Sequence, residues 1–119
     1  MRCLIVDDNA RFLRAARRLL EHQGISVVGV ASNSAEALQR AKELQPDVTL
    51  VDIDLGGESG FELASRLRQA APHHSRVILI SMRSGDDYGD LIAASRARGF
   101  LSKTALSASA IQQLLADAG

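Results

Sequence analysis

Five short runs of Val, Ile and Leu, separated by stretches of helical periodicity, constrain this chain more than any other feature. The runs fall at 2–6 (RCLIV), 25–30 (ISVVGV), 48–53 (VTLVDI), 76–81 (RVILIS) and 99–102 (GFLS). They show little polar alternation, as expected of strands covered on both faces. Segment 9–23 places Phe12, Ala16, Leu19, Leu20 and Gln23 on one side and stops at Gly24. Segment 33–45 opens with Asn33 as N-cap and Glu36 in the capping-box position, and Pro46 closes it. Segment 59–70 carries Phe61, Ala64 and Leu67 at helical spacing and ends before Pro72. Segment 86–97 is a weaker helix with Gly89 inside it, at a cost of about 1 kcal/mol relative to Ala. Segment 107–117 starts at Ser107, with Leu106 positioned to staple onto Ile111. Alternating strands and helices imply an α/β fold, a doubly wound parallel sheet with helices on both faces. Its working site is expected beyond the carboxyl ends of the strands, where the winding reverses.

The 119 residues suit one domain, 1–119, and 46% hydrophobic with 24% charged residues supports a globular core. A formal net charge of zero argues against a general nucleic-acid or membrane-surface binder. The lone Cys3 excludes an internal disulfide and reads as a small buried hydrophobe. No signal peptide is expected at Met1, and no apolar run approaches the roughly 20 residues that cross a bilayer. A soluble, cytoplasmic setting is the expectation.

The strand ends concentrate unusual chemistry. The first run leads into Asp7 and Asp8, the third carries Asp52 and continues to Asp54, the fourth ends at Ser81 and the fifth leads to Lys103. Taken singly, each has an ordinary reading: Asp8 as a helix N-cap, Ser81 as a loop residue, Lys103 as a solvated cation. Asp52 within an apolar strand is harder to dismiss, because a buried carboxylate without a partner is costly. Several carboxylates in one pocket repel each other but are tolerable around a hard divalent cation, and oxygen-only ligands favour Mg²⁺ over zinc. Mg²⁺ takes few protein carboxylates and commonly bridges to phosphate. An aspartate can accept a phosphoryl group covalently while a metal and a lysine neutralise the transferring oxygens. Asp52, Lys103 and Ser81 fit the acceptor, the cation and a hydroxyl that bonds a phosphoryl oxygen.

The segments LIVDDN, TLVDIDLGGESGFEL, VILIS and GFLSK together resemble the receiver domain of bacterial two-component response regulators, over essentially the whole chain. The resemblance implies a flavodoxin-like five-stranded sheet in the order 2-1-3-4-5 with five helices. It implies Asp52 as phosphoacceptor, and a Mg²⁺ site from Asp7, Asp8, Asp52 and the backbone carbonyl of Asp54. Ser81 becomes the switch hydroxyl and Lys103 the phosphate-pairing cation. Phe100 has two readings, switch aromatic or plain core residue. The resemblance further implies a sensor histidine kinase or phosphotransfer protein as phosphoryl donor, docking near Arg11, Arg14 and Arg18. The 86–117 surface becomes the output face and a possible homodimer contact. The implied role is signalling rather than enzymatic, limited to the chain's own phosphorylation and dephosphorylation.

The sequence departs from the family pattern in three places. Gly56, followed by Gly57, stands where Pro is common four residues after the acceptor, Met82 replaces a small residue beside Ser81, and Thr104 replaces the Pro that often follows the lysine. These departures bear on rates. Two other readings stay open. The chain can be the receiver fragment of a DNA-binding transcriptional regulator; no basic region or helix-turn-helix suggests direct DNA binding by these residues. Asp52-Ile53-Asp54 also matches superficially the paired aspartates of haloacid-dehalogenase-like phosphatases, but it follows the third strand and Gly56 stands where a threonine is expected.

Overall fold

Successive residues of a strand point to opposite faces of a sheet, and here both faces are covered. Cys3 and Ile5 enter one core; Leu4 and Val6 enter the other. The computed structural model describes residues 1–70, 76–83 and 88–117. Its five central strands are β1 (Arg2–Val6), β2 (Ser26–Ala31), β3 (Val48–Asp52), β4 (Val77–Ser81) and β5 (Gly99–Ser102). They are parallel and run in the order β2-β1-β3-β4-β5, as expected. The sheet therefore winds outward in both directions from the β1–β3 pair, and a crevice opens between the loops that leave these two strands.

Among the described residues five α-helices cover the sheet: α1 (Ala10–His22), α2 (Ser34–Leu44), α3 (Gly60–Ala70), α4 (Gly89–Ser95) and α5 (Ala108–Asp117). Leu13, Ala16 and Leu20 of α1 join Ile111 and Leu115 of α5 in the first core. Ala37 of α2 and Leu63, Ala64 and Leu67 of α3 build the second, with Ile92 of α4 packed against it. Leu106 and Ile111, the two residues of the expected staple, are both buried in the first core. Ser107 Oγ accepts from Ala110 N at 3.0 Å at the start of α5.

Three expectations need correction, and the loop after β3 adds an element that was not foreseen. The inward stripe of α1 is Leu13-Ala16-Leu20, while Leu19 remains 39% exposed and Phe12 is half-buried. The i, i+3, i+7 line runs one residue away from the face assigned by hydrophobicity alone. Asp8 is not the N-cap of α1: Asn9 takes that place, accepting from Arg11 N at 3.0 Å and Phe12 N at 3.2 Å. Gly89 opens α4 instead of interrupting it, so the interior-glycine cost does not apply; residues 86 and 87 of that segment lie outside the described residues, as do Pro72, His73 and His74. Finally, the loop after β3 contains a two-stranded antiparallel ribbon, Asp54–Leu55 with Glu58–Ser59. Gly56 (φ +60°) and Gly57 (φ +100°) form its turn, a backbone that favours glycine.

At α2 the expected cap forms at Asn33, but Glu36 reaches back past it to Ser32, the residue before the cap. Asn33 Oδ1 accepts from Glu36 N at 2.9 Å, and Glu36 Oε1 reaches back to Ser32 N at 2.9 Å and Ser32 Oγ at 2.6 Å. These bonds hold the Glu36 carboxyl below its ordinary value, the Ser32 hydroxyl being the largest cause.

Candidate functional site

Register alone brings the candidate residues together. Val6 of β1 pairs with Val51 of β3, so the next residues, Asp7 and Asp52, sit side by side. Asp52 pairs with Ile80, which places Ser81 one step beyond on the neighbouring strand. Ser81 pairs with Ser102, and Lys103 follows directly. The result is a cleft of about 410 Å³ lined by Asp7, Asp8, Asp52, Asp54, Ser81 and Lys103, together with Met82 and Arg83.

Lys103 Nζ lies 2.5 Å from Asp7 Oδ2 and 2.9 Å from Asp52 Oδ2. The other oxygens are held by backbone amides: Asn9 N donates to Asp7 Oδ1 at 2.8 Å, and Asp54 N donates to Asp52 Oδ1 at 3.0 Å. Asp7 is fully buried and Asp52 nearly so, whereas Asp8 and the Asp54 side chain are exposed. Burial pushes the Asp7 carboxyl above its ordinary value, and the Asp52 charge adds to this; Lys103 and the Asn9 amide oppose it only in part. Burial pulls Lys103 downward, but its contacts with Asp7 and Asp52 more than offset that, so its pKa is raised. The ammonium therefore stays charged.

The carboxylate group suits a hard cation. Asp7, Asp8 and Asp52 each offer an oxygen, and these atoms lie within 4.8 Å of one another. Asp7 Oδ2 is wholly buried and, among the described residues, has no hydrogen-bond partner beyond its ion pair with Lys103. An all-oxygen donor set with an under-coordinated buried oxygen fits Mg²⁺. Gly56 contributes by absence: a Cβ there would stand 2.8 Å from Asp8 Oδ2, so the glycine turn lets the ribbon lie against that carboxylate.

Ser81 is buried on the cleft wall, where its Oγ accepts from Arg83 N at 3.0 Å. Met82 is 68% exposed and stands at the cleft's edge. Arg83 Nη1 donates to the Tyr88 hydroxyl at 3.3 Å, and Tyr88 meets Phe61 with ring centroids 5.9 Å apart. Phe100 is half-buried against the second core. Sequence reasoning did not foresee Tyr88 and Phe61 at the cleft, or Phe12 beside Lys103. Tyr88 carried no signal, and Phe12 was absorbed into the apolar face of α1.

The comparisons agree with this architecture. The chain is 30% identical over 103 residues to the DNA-binding transcriptional activator EvgA of Escherichia coli K12, covering 87% of this chain and 50% of EvgA. The chain thus spans about half the length of the curated relatives it matches. The signal receiver domain assigned to NarL of Mycobacterium tuberculosis superposes with a TM-score of 0.83 at 30% identity, covering 98% of this chain and 94% of that one. A response regulator from Burkholderia pseudomallei, solved with a phosphorylated aspartic acid and a calcium ion, gives 0.84 at 28% identity, covering 98% and 68%. The family model for the response regulator receiver domain matches residues 3–116. This chain belongs to that family, the receiver domains of two-component response regulators.

Proposed function

We propose that the chain accepts a phosphoryl group on Asp52 from a phosphohistidine of a sensor histidine kinase or phosphotransfer protein. The observation that carries this reading is the bracketing of the Asp52 carboxylate, by Lys103 on Oδ2 and by the Asp54 amide on Oδ1. A carboxylate oxygen of Asp52 attacks phosphorus, the N–P bond of the donor breaks, and the imidazole leaves with its electron pair and takes a proton. Lys103 neutralises charge on the transferring oxygens, and Ser81 Oγ supplies a hydrogen bond to one of them. Asp7, Asp8 and Asp52, with the Asp54 carbonyl, would hold Mg²⁺, which would supply further charge neutralisation. The phosphorylated aspartate and calcium ion of the Burkholderia relative support the same chemistry here.

In this reading the chain catalyses only its own phosphorylation and dephosphorylation, in the cytoplasm. Among the described residues no helix is long and apolar enough to cross a membrane. The 86–117 surface carries the output and a homodimer contact, with Leu91 of α4 52% exposed on it. We further propose that the chain serves as the receiver part of a DNA-binding transcriptional regulator, because EvgA is such a regulator and the chain matches half of it. The test is intact-protein mass after incubation with a small phosphodonor, with and without Mg²⁺, beside Asp52→Asn. One Mg²⁺-dependent adduct, absent from the variant, is expected; an adduct that persists in Asp52→Asn refutes the assignment. Turnover of a phosphate ester that depends on Asp54 would restore the hydrolase reading.

A further inference from the structure

Lysine and aromatic residues are both scarce here. Of 14 Lys and Arg residues only Lys42 and Lys103 are lysines, and the aromatics are three Phe and one Tyr. Yet one of each meets inside the fold: Lys103 Nζ stands over the Phe12 ring, 4.4 Å from its centroid. The Lys103 side chain is only 8% exposed, so this contact is shielded from water. An ammonium has three donors. Asp7 and Asp52 take two sides of it, and the ring faces another. Phe12 itself is fixed from the backbone, because its amide donates to Asn9 Oδ1 at 3.2 Å in the cap of α1. Asn9 N in turn donates to Asp7. Ring, cap and carboxylate are thus one connected unit around the lysine.

We propose that Phe12 is a positioning residue for phosphoryl transfer, holding the Lys103 ammonium on the Asp52 side of the cleft through a cation–π contact. This rests on the reading of Asp52 as acceptor. A lysine is a point charge on a flexible four-carbon stem, and it needs partners to define its place. Both carboxylates change their bonding when Asp52 takes up a phosphoryl group. The ring takes no part in that bonding, so in this proposal it stays beside the ammonium before and after transfer. An aliphatic side chain at position 12 fills similar space but has no quadrupole to attract a cation.

The test uses the full chain with Phe12→Leu and Phe12→Tyr. Because the chain has two lysines, selective lysine labelling gives two sets of NMR signals, and exposed Lys42 on α2 is the internal reference. Ring current should displace the Lys103 side-chain resonances in the wild type and in Phe12→Tyr. The displacement should vanish in Phe12→Leu while Lys42 is unmoved. With saturating Mg²⁺ and a small phosphodonor, well below the melting midpoint of every variant, adduct formation should slow about tenfold in Phe12→Leu, the loss expected for a desolvated cation–π contact. Phe12→Tyr should stay within about twofold of wild type, since its ring keeps the cation–π contact. A purely structural role predicts altered midpoints without this pattern of rates. Phe12→Leu at the wild-type rate, Phe12→Tyr as slow as Phe12→Leu, or a Lys103 signal indifferent to the ring overturns the proposal. If the wild type takes up no phosphoryl group, the acceptor reading fails and the positioning role falls with it; the Lys103 signal then still reports whether the contact exists.

Discussion

Gly60→Ala tests how tightly the end of β3 is locked. A Cβ at Gly60 would lie 2.0 Å from the Asp52 carbonyl oxygen and 2.7 Å from both the Asp52 carbonyl carbon and Ile53 Cα. All three are backbone atoms, so no side chain can swing aside. Ordinary contact needs about 3.5 Å, so the first turn of α3 must retreat by more than 1 Å from β3. β3 cannot yield, because it is buried and paired on both sides by β1 and β4. Overpacking of this kind costs about 3 kcal/mol, and weakening the 3.0 Å bond from Gly60 N to Ile53 O adds about 1 kcal/mol. Alanine's better helix propensity returns at most about 1 kcal/mol. The net loss is about 3 kcal/mol. For 119 residues the unfolding entropy is about 0.25 kcal/mol/K, so the melting midpoint should fall by about 12 °C. Thermal denaturation followed by circular dichroism measures this. Gly89→Ala is the control, because among the described residues a Cβ at Gly89 meets nothing within 4 Å, and it should shift the midpoint by no more than about 2 °C. A Gly60→Ala midpoint within about 3 °C of wild type would refute the argument.

Three other outcomes follow from the structure. Mg²⁺ should stabilise the chain by about 2.7 kcal/mol at a hundredfold excess over its dissociation constant, and Asp8→Asn should remove most of that gain; melting curves with and without Mg²⁺ measure it. The Glu36 carboxyl is held below its ordinary value of 4.5, so its contribution is present above pH 4.5 and lost as pH falls through the lower folded value; Glu36→Gln should flatten the wild-type loss of stability in acid titrations. Burial pushes the Cys3 thiol up to about 12 from 9.0, so the folded state keeps its proton, and the associated stability is complete below pH 9.0 and lost as pH rises toward 12. Native protein at pH 8 should therefore resist thiol alkylation until it unfolds.

The sheet was legible because runs such as VTLVD and VILIS are too short for helices, rich in Val, Ile and Leu, and alternate with segments of helical period. The convergence of Asp7, Asp52, Ser81 and Lys103 followed from strand register, since each stands at or one residue beyond the end of a strand. Other features were hidden for physical reasons. Asn9 and Asp8 are both good caps by residue type, and only the backbone geometry at Asn9 decides between them. The ribbon at 54–59 is too short for a period of two to register, although Gly56-Gly57 marks its turn. Phe12 fits an apolar helix face as well as it fits a lysine, so periodicity could not separate the roles. Tyr88 reaches the cleft through Phe61 and Arg83, contacts that depend on how α4 packs near α3.

The central claim is that Asp52 carries the phosphoryl group. Borohydride reduction of the phosphorylated protein converts an acyl phosphate to an alcohol, turning the modified aspartate into homoserine, which peptide mass spectrometry locates. The account predicts homoserine at position 52 alone, dependent on Mg²⁺ and on Lys103. Homoserine at 7, 8 or 54, or labelling equal with and without Mg²⁺, would contradict it.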